Sequence, residues 1–203
     1  DIDMAIELAK HHDVIVTTFG DMLKVPGSYS SLQKEKGQGG DVRVVYSPLD
    51  ALALAEKNPD RHVVFISVGF ETTTPIISAT IKRAAAMGLE NFSMYAANKT
   101  VPSALRAIAD DPSIQIDALI LPGHVSTIIG SKPYEFLADE FHVPGVVTGF
   151  EPLDVLQGIY LLLKQLADNE ARIDIAYTRG VRIEGNPTAV EAIYEVFEPT
   201  DAE

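Results

Sequence analysis

Short apolar runs and amphipathic stretches alternate along the whole chain. The runs at 14–18, 42–46, 63–68, 92–97, 118–121, 143–148 and 173–177 have the length and composition of buried strands. Between them, apolar residues recur at helical spacing over 3–11, 51–57, 76–87, 102–109, 134–141 and 188–197. A longer helix leads from the 149–154 turn to about residue 167, with Leu156, Ile159, Tyr160, Leu163 and Leu166 on one face. Residues 29–41 are polar, with Gly37, Gly39 and Gly40, and read as a helix or loop at the surface. Strands that alternate with helices predict parallel βαβ units. The expected fold is α/β, with two Rossmann-like lobes of mainly parallel sheet flanked by helices and a cleft between them. Gly88 punctuates the pattern, which places the lobes at 1–88 and 89–203, with the last helix free to pack on either.

The run at 63–68 is the most apolar and suits a strand buried on both faces. It feeds a polar turn, Gly69-Phe70-Glu71-Thr72-Thr73-Thr74-Pro75, where Thr before Pro predicts a helix start. Turns at the carboxyl ends of parallel strands are where ligands bind in such sheets. Glu71 is a candidate site acid or a first-turn carboxylate favoured by the helix dipole. The hydroxyls of Thr72 and Thr73 and the helix N–H groups could hold an anion or a polar ligand. Eighty positions later Gly149-Phe150-Glu151 repeats Gly69-Phe70-Glu71 before another Pro-started helix. Coincidence within βα chemistry and two similar lobes aiming matched turns at one cleft both fit this echo.

His124 and Ser126 follow Pro122-Gly123 after the run at 118–121 and read as a loop over the sheet edge. A triad of Ser126, His124 and Glu71 is conceivable, but no Gly-x-Ser-x-Gly elbow supports a nucleophile. His11, His12, His62 and His142 lack metal-ligand spacing. Asp21, in the Gly20-Asp21 turn, could ligate or cap.

Charge and composition remove several classes. The formal net charge of −13 argues against nucleic acid and against an anionic membrane surface. No cysteine is present, so disulfides, zinc-thiolate sites, iron–sulfur clusters and cysteine nucleophiles are excluded within these 203 residues. No apolar run reaches the roughly 18 residues of a membrane span, and a cytoplasmic protein is expected. The opening Asp1-Ile2-Asp3-Met4 reads as mid-helix, as in a piece of a longer protein.

Six segments, in order along the chain, resemble signatures of the HypD family of [NiFe]-hydrogenase maturation proteins. They are Thr18-Phe19-Gly20-Asp21-Met22-Leu23-Lys24-Val25-Pro26-Gly27-Ser28, Ser47-Pro48-Leu49-Asp50-Ala51-Leu52, and the turn from Gly69 to Pro75. The others are Pro122-Gly123-His124-Val125-Ser126-Thr127-Ile128-Ile129-Gly130, Gly149-Phe150-Glu151-Pro152-Leu153-Asp154, and Tyr177-Thr178-Arg179-Gly180-Val181 with Glu184-Gly185-Asn186. The resemblance implies a scaffold for assembling the Fe(CN)2CO part of the hydrogenase active site, with a HypC-type chaperone and a HypE-type cyanide donor as partners. It also implies iron and a [4Fe-4S] cluster in full-length members, held with the help of Cys-Gly-x-His and Cys-Pro-x-Cys motifs and further cysteines. All of these are absent here, so the chain is expected to be a central fragment that alone holds neither metal nor cluster. What the resemblance leaves to this chain is a shell: Gly69, Thr72, Thr73, Gly123, His124, Gly149 and Glu151 line the cleft. Glu71, Thr72, Thr73, His124 and Ser126 are the candidates for hydrogen bonding to cyanide or handling protons. Two other readings are a Rossmann-type small-molecule or nucleotide-sugar binding enzyme, disfavoured by the missing Gly-x-Gly-x-x-Gly, and a pure interaction module.

Overall fold

A computed structural model describes residues 1–200 and divides the chain into two compact units. The first joins residues 1–69 with 76–98, and the second joins 70–75 with the chain from Lys99 onward.

The first unit is built on four parallel strands, β1 (Val14–Thr18), β2 (Val42–Val44), β3 (His62–Gly69) and β4 (Phe92–Asn98), in the order β2-β1-β3-β4. The apolar run takes an inner position in the sheet. Val63, Val64, Phe65, Ile66 and Ser67 of β3 are all buried, as expected of a strand covered on both faces. Helices α1 (Ile2–Ala9), α2 (Leu32–Gly37), α3 (Pro48–Lys57) and most of α4 (Thr74–Ala86) belong to this unit. The start of α3 follows the local sequence closely. Ser47 accepts from the backbone of its first turn while Asp50 accepts from the Ser47 and Tyr46 N–H groups at 3.0 and 3.1 Å. Ala5, Ala9, Val16, Leu32, Val42, Val64 and Ile66 form one core. At the sheet's other end Asp41 receives Arg43 at 2.8 Å and Arg61 at 2.5 Å, and Arg61 also donates to the Val14 carbonyl at 2.9 Å. The two arginines hold the Asp41 carboxyl down at about 2.

The second unit has three parallel strands, β5 (Leu119–Pro122), β6 (Gly145–Thr148) and β7 (Ile173–Ile175), in that order. With them run α5 (Val101–Asp110), α6 (Gly123–Ile129), α7 (Glu135–Asp139), α8 (Pro152–Asp168) and α9 (Pro187–Tyr194). Leu121, Tyr134, Leu137, Val147 and Val181 form one core, joined by Val101 and Leu105 of α5. Val146, Leu162 and Ala176 form another. Two parallel sheets with their helices realise the α/β class that the alternating pattern predicts.

Two local expectations change. Residues 123–129 are helix α6 and not a loop, so Pro122-Gly123 opens a helix directly from β5. Strand β2 ends at Val44, although Val45 N still donates to the Thr18 carbonyl at 3.0 Å. On α8, the stripe of Leu156, Tyr160 and Leu163 is more than 60% exposed. The buried side of α8 consists of Asp154, Gly158, Leu162 and Gln165. Gly158 permits this, since a Cβ there would stand 2.3 Å from Thr148 Cγ2 on β6. Gln165 completes the contact by donating to Asp174 and accepting from Arg172 N, each at 3.0 Å. Among the described residues, no helix is long and apolar enough to cross a membrane.

Candidate functional site

In the second unit, the carboxyl ends of β5, β6 and β7 bring three segments together: Gly123-His124, Gly149-Phe150-Glu151 and Tyr177–Arg179. Two glycines make the approach possible. A Cβ on Gly123 would lie 2.1 Å from the Thr148 carbonyl oxygen, and one on Gly149 would lie 2.1 Å from Asp154 Oδ2. The His124 ring then meets Phe150 edge-on at 4.8 Å between centroids and Tyr177 at 6.2 Å. Phe150 remains 73% exposed.

Arg179 is fixed from three directions. It donates to both oxygens of buried Asp154, at 2.7 and 2.6 Å, pairs with Glu151 at 3.0 Å, and lies 4.6 Å over the Tyr177 ring. The guanidinium holds the Asp154 carboxyl below the usual carboxylate range, and Asp154 in turn pushes Arg179 up. One cation between two carboxylates leaves Arg179 no surplus charge for an anionic ligand. The cluster therefore presents aromatic faces and an imidazole beside an arginine held between two carboxylates.

The 69–75 turn uses its polar groups differently. Gly69 has φ of 151°, a region that favours glycine, and stands in register with Asn98. Glu71 is buried and accepts from Val101 N at 3.0 Å, so it caps α5, whose own N-cap residue Thr100 makes no side-chain cap bond. Burial pushes the Glu71 carboxyl up from its ordinary value, against the opposing pull of its own and the Val101 backbone N–H groups. Thr73 and Thr74 each donate to the Phe70 carbonyl at 3.1 Å, while Thr72 is exposed. Ser126 is fully buried on α6 and donates to the Pro122 carbonyl at 2.8 Å, the common back-bond of a helical serine. With its proton committed there, Ser126 is not arranged as a nucleophile. Asp21 accepts from Met22 N at 3.0 Å in a short 3-10 turn over Gly20–Lys24 and acts locally.

Among the described residues no three His, Asp or Glu side chains converge as metal ligands would. Without a thiolate anywhere in the chain, the residues present do not fit a [4Fe-4S] cluster. Four residues outside the sequence-based candidates matter to the geometry: Asp154, Tyr177 and Arg179 in the cluster, and Tyr134 buried beneath α6. Asp154 carried a local signal as an acid in the first turn of a Pro-started helix, and Tyr177 and Arg179 lay in a signature segment without an assigned role.

Parallel α/β units with polar and aromatic residues gathered at strand carboxyl ends define a Rossmann-like α/β protein. The HypD model, described as the hydrogenase formation hypA family, matches residues 1–203, and the chain belongs to that family. It is 48% identical over 197 residues to the hydrogenase maturation factor HypD of Rhodobacter capsulatus, covering 97% of this chain and 52% of that protein. It is 46% identical over 196 residues to the HypD factor of Escherichia coli (strain K12), again 97% and 52%. Against the HypD2 factor of Bradyrhizobium diazoefficiens the identity is 45% over 207 residues, covering 98% of this chain and 54% of that protein. The chain thus spans about half the length of the curated relatives it matches.

Proposed function

We propose that this chain is a central part of a hydrogenase maturation factor, a scaffold on which the Fe(CN)2CO part of the [NiFe]-hydrogenase site is assembled in the cytoplasm. The observation that carries the reading is the match to named maturation factors along nearly the whole chain. The geometry supports a shell role. His124 stands exposed among aromatic rings while Arg179 is neutralised by Glu151 and Asp154, which suits a neutral or metal-bound guest better than a free phosphate. Iron is cargo here, and its thiolate ligands come from outside these residues, since the chain supplies none. A HypC-type chaperone and a HypE-type cyanide donor are the partners.

The test is a hybrid in which these residues replace the matching half of the Escherichia coli relative, expressed in a strain lacking its own factor. Restored hydrogenase activity, and its loss in His124→Ala at unchanged protein level, is the expected result. A soluble hybrid that restores nothing refutes the reading; full activity in His124→Ala removes that residue from the shell.

A further inference from the structure

Three glycines, one from each segment that follows β5, β6 and β7, stand against a single aromatic ring. A Cβ on Gly123 would lie 2.9 Å from Tyr177 Cδ1, one on Gly149 would lie 3.0 Å from Cδ2, and one on Gly180 would lie 2.7 Å from Cε1. All three fall inside the carbon contact distance of about 3.5 Å, so the ring fills a slot that exists only while these residues carry no side chain. The Arg179 guanidinium lies over the same ring at 4.6 Å and is itself held by both oxygens of Asp154. The backbone beneath the ring is equally tied. Tyr177 N donates to the Val147 carbonyl at 3.2 Å, and the Tyr177 carbonyl accepts from Gly180 N at 3.2 Å and Val181 N at 3.0 Å.

The slot matters because of what rests against it. A histidine that serves a site usually has its ring oriented by a hydrogen bond from one of its nitrogens. Among the described residues, His124 enters hydrogen bonds with side chains only through its carbonyl, which accepts from Thr127 at 2.7 Å. Ring contacts are left to orient the imidazole: Phe150 at 4.8 Å and Tyr177 at 6.2 Å, both edge-on. The two neighbours are unequal. Phe150 is mostly in solvent, whereas Tyr177 is half-buried and packs against the core that contains Leu121 and Val147.

We infer that Tyr177 is the positioning residue of the His124 cluster, its glycine-lined ring being the fixed wall against which the exposed imidazole is oriented. The ring alone does this, so phenylalanine can replace tyrosine and an aliphatic side chain cannot. Asp154 acts one step further back, by holding the arginine that covers the ring. The positional claim needs nothing from the maturation reading. Its consequence for assembly rests on that reading and deepens it, since a shell histidine serves a guest in one orientation only.

The test reads the His124 side-chain torsion from three-bond couplings in the intact chain, the resonance being assigned by its loss in His124→Gln. Such couplings report rotamer populations and are blind to the ring currents that an aromatic substitution changes. Wild type and Tyr177→Phe are expected to hold one rotamer. Tyr177→Leu is expected to average over rotamers, as the exposed His11 and His12 do. Gly180→Ala is expected to do the same by pushing the ring from an exposed position whose backbone is not left-handed, and it decides if Tyr177→Leu does not fold. An averaged His124 in wild type or in Tyr177→Phe overturns the inference, as does a single rotamer kept in Gly180→Ala and in folded Tyr177→Leu. In the hybrid with the Escherichia coli relative, Tyr177→Phe keeps hydrogenase activity. Tyr177→Leu at equal protein level lowers it about tenfold or more, since a misplacement of about 1 Å costs up to about 100-fold. Full activity of Tyr177→Leu in an active hybrid overturns the positioning role; an inactive parent hybrid refutes the maturation reading alone, and the couplings still decide.

Discussion

Gly123→Ala is the most direct probe of how the site is built. An ideal Cβ at this position would lie 2.1 Å from the Thr148 carbonyl oxygen, 2.8 Å from its carbon and 2.9 Å from Tyr177 Cδ1. Comfortable carbon contacts begin near about 3.5 Å, so a displacement of more than about 1 Å is required. The obstacle is backbone, and it is pinned: Thr148 is paired in register with Pro122, and the neighbouring Val147 with Ile175. Overpacking of this kind falls near the top of its usual range, about 3 kcal/mol. Replacing glycine in a helix returns up to about 1 kcal/mol, which leaves a net loss of about 2 kcal/mol. For a chain of this size that is a fall in Tm of roughly 4–8 °C. Gly37→Ala is the matched control. A Cβ there meets nothing within 4 Å, and Gly37 is the last residue of α2, so stability holds or rises slightly. Thermal unfolding followed by circular dichroism, with amide exchange at β6 to localise the effect, measures both. A Gly123→Ala protein that melts with the wild type, or a Gly37→Ala protein that falls equally far, would refute the close-approach argument.

Two further outcomes follow from the first unit and from α8. Asp41, at 27% side-chain exposure, has its pKa lowered from 3.8 to about 2, equivalent to ~2 kcal/mol at neutral pH. A depressed carboxylate stabilises the fold above its unfolded value and loses that contribution as pH falls toward about 2. Asp41→Asn should therefore unfold at lower urea than wild type at pH 7, with the gap closing in strong acid; an equal gap at both extremes contradicts the ion-pair account. Leu156→Gln with Leu163→Gln alters side chains 63% and 61% exposed, so folding stability in urea should change by less than about 0.5 kcal/mol each. A loss of several kcal/mol would mean that this face of α8 packs inward.

What the sequence made legible depended on how local the cause was. The five buried residues of β3 were readable from pattern alone, and the capping box at Ser47 likewise arises from neighbouring residues. Pro122-Gly123 looks like a turn because Pro and Gly punctuate chains. Here Gly123 answers a different need, clearance from a carbonyl on β6, and that is a long-range fact. The direction in which the α8 stripe faces is long-range for a related reason. Amphipathy says that a helix has two faces, but Gly158 and Gln165 fit β6 and β7 better than leucines do, so the apolar face turns outward. Tyr134 carried no signal because its ring serves the core, and only tertiary packing brings its hydroxyl under the influence of Glu71.

The paired Gly-Phe-Glu turns show where analogy between the units stops. Both leave a phenylalanine in solvent, with Phe70 47% and Phe150 73% exposed. Their carboxylates part company. Glu71 is buried and holds α5 by its first N–H, whereas Glu151 is exposed and shares Arg179 with Asp154. In the second turn the buried acid is Asp154, three residues further on and inside α8. The repeat therefore fixes a common βα corner and not a common chemical role: one corner withholds its carboxyl from solvent and favours the protonated form, while the other keeps it ionised against an arginine. Two carboxyls driven in opposite directions give the chain a buried acid in one corner and an arginine-held carboxylate beside the His124 cluster in the other. Among the described residues, the second corner's cation, Arg179, is already held by both Glu151 and Asp154.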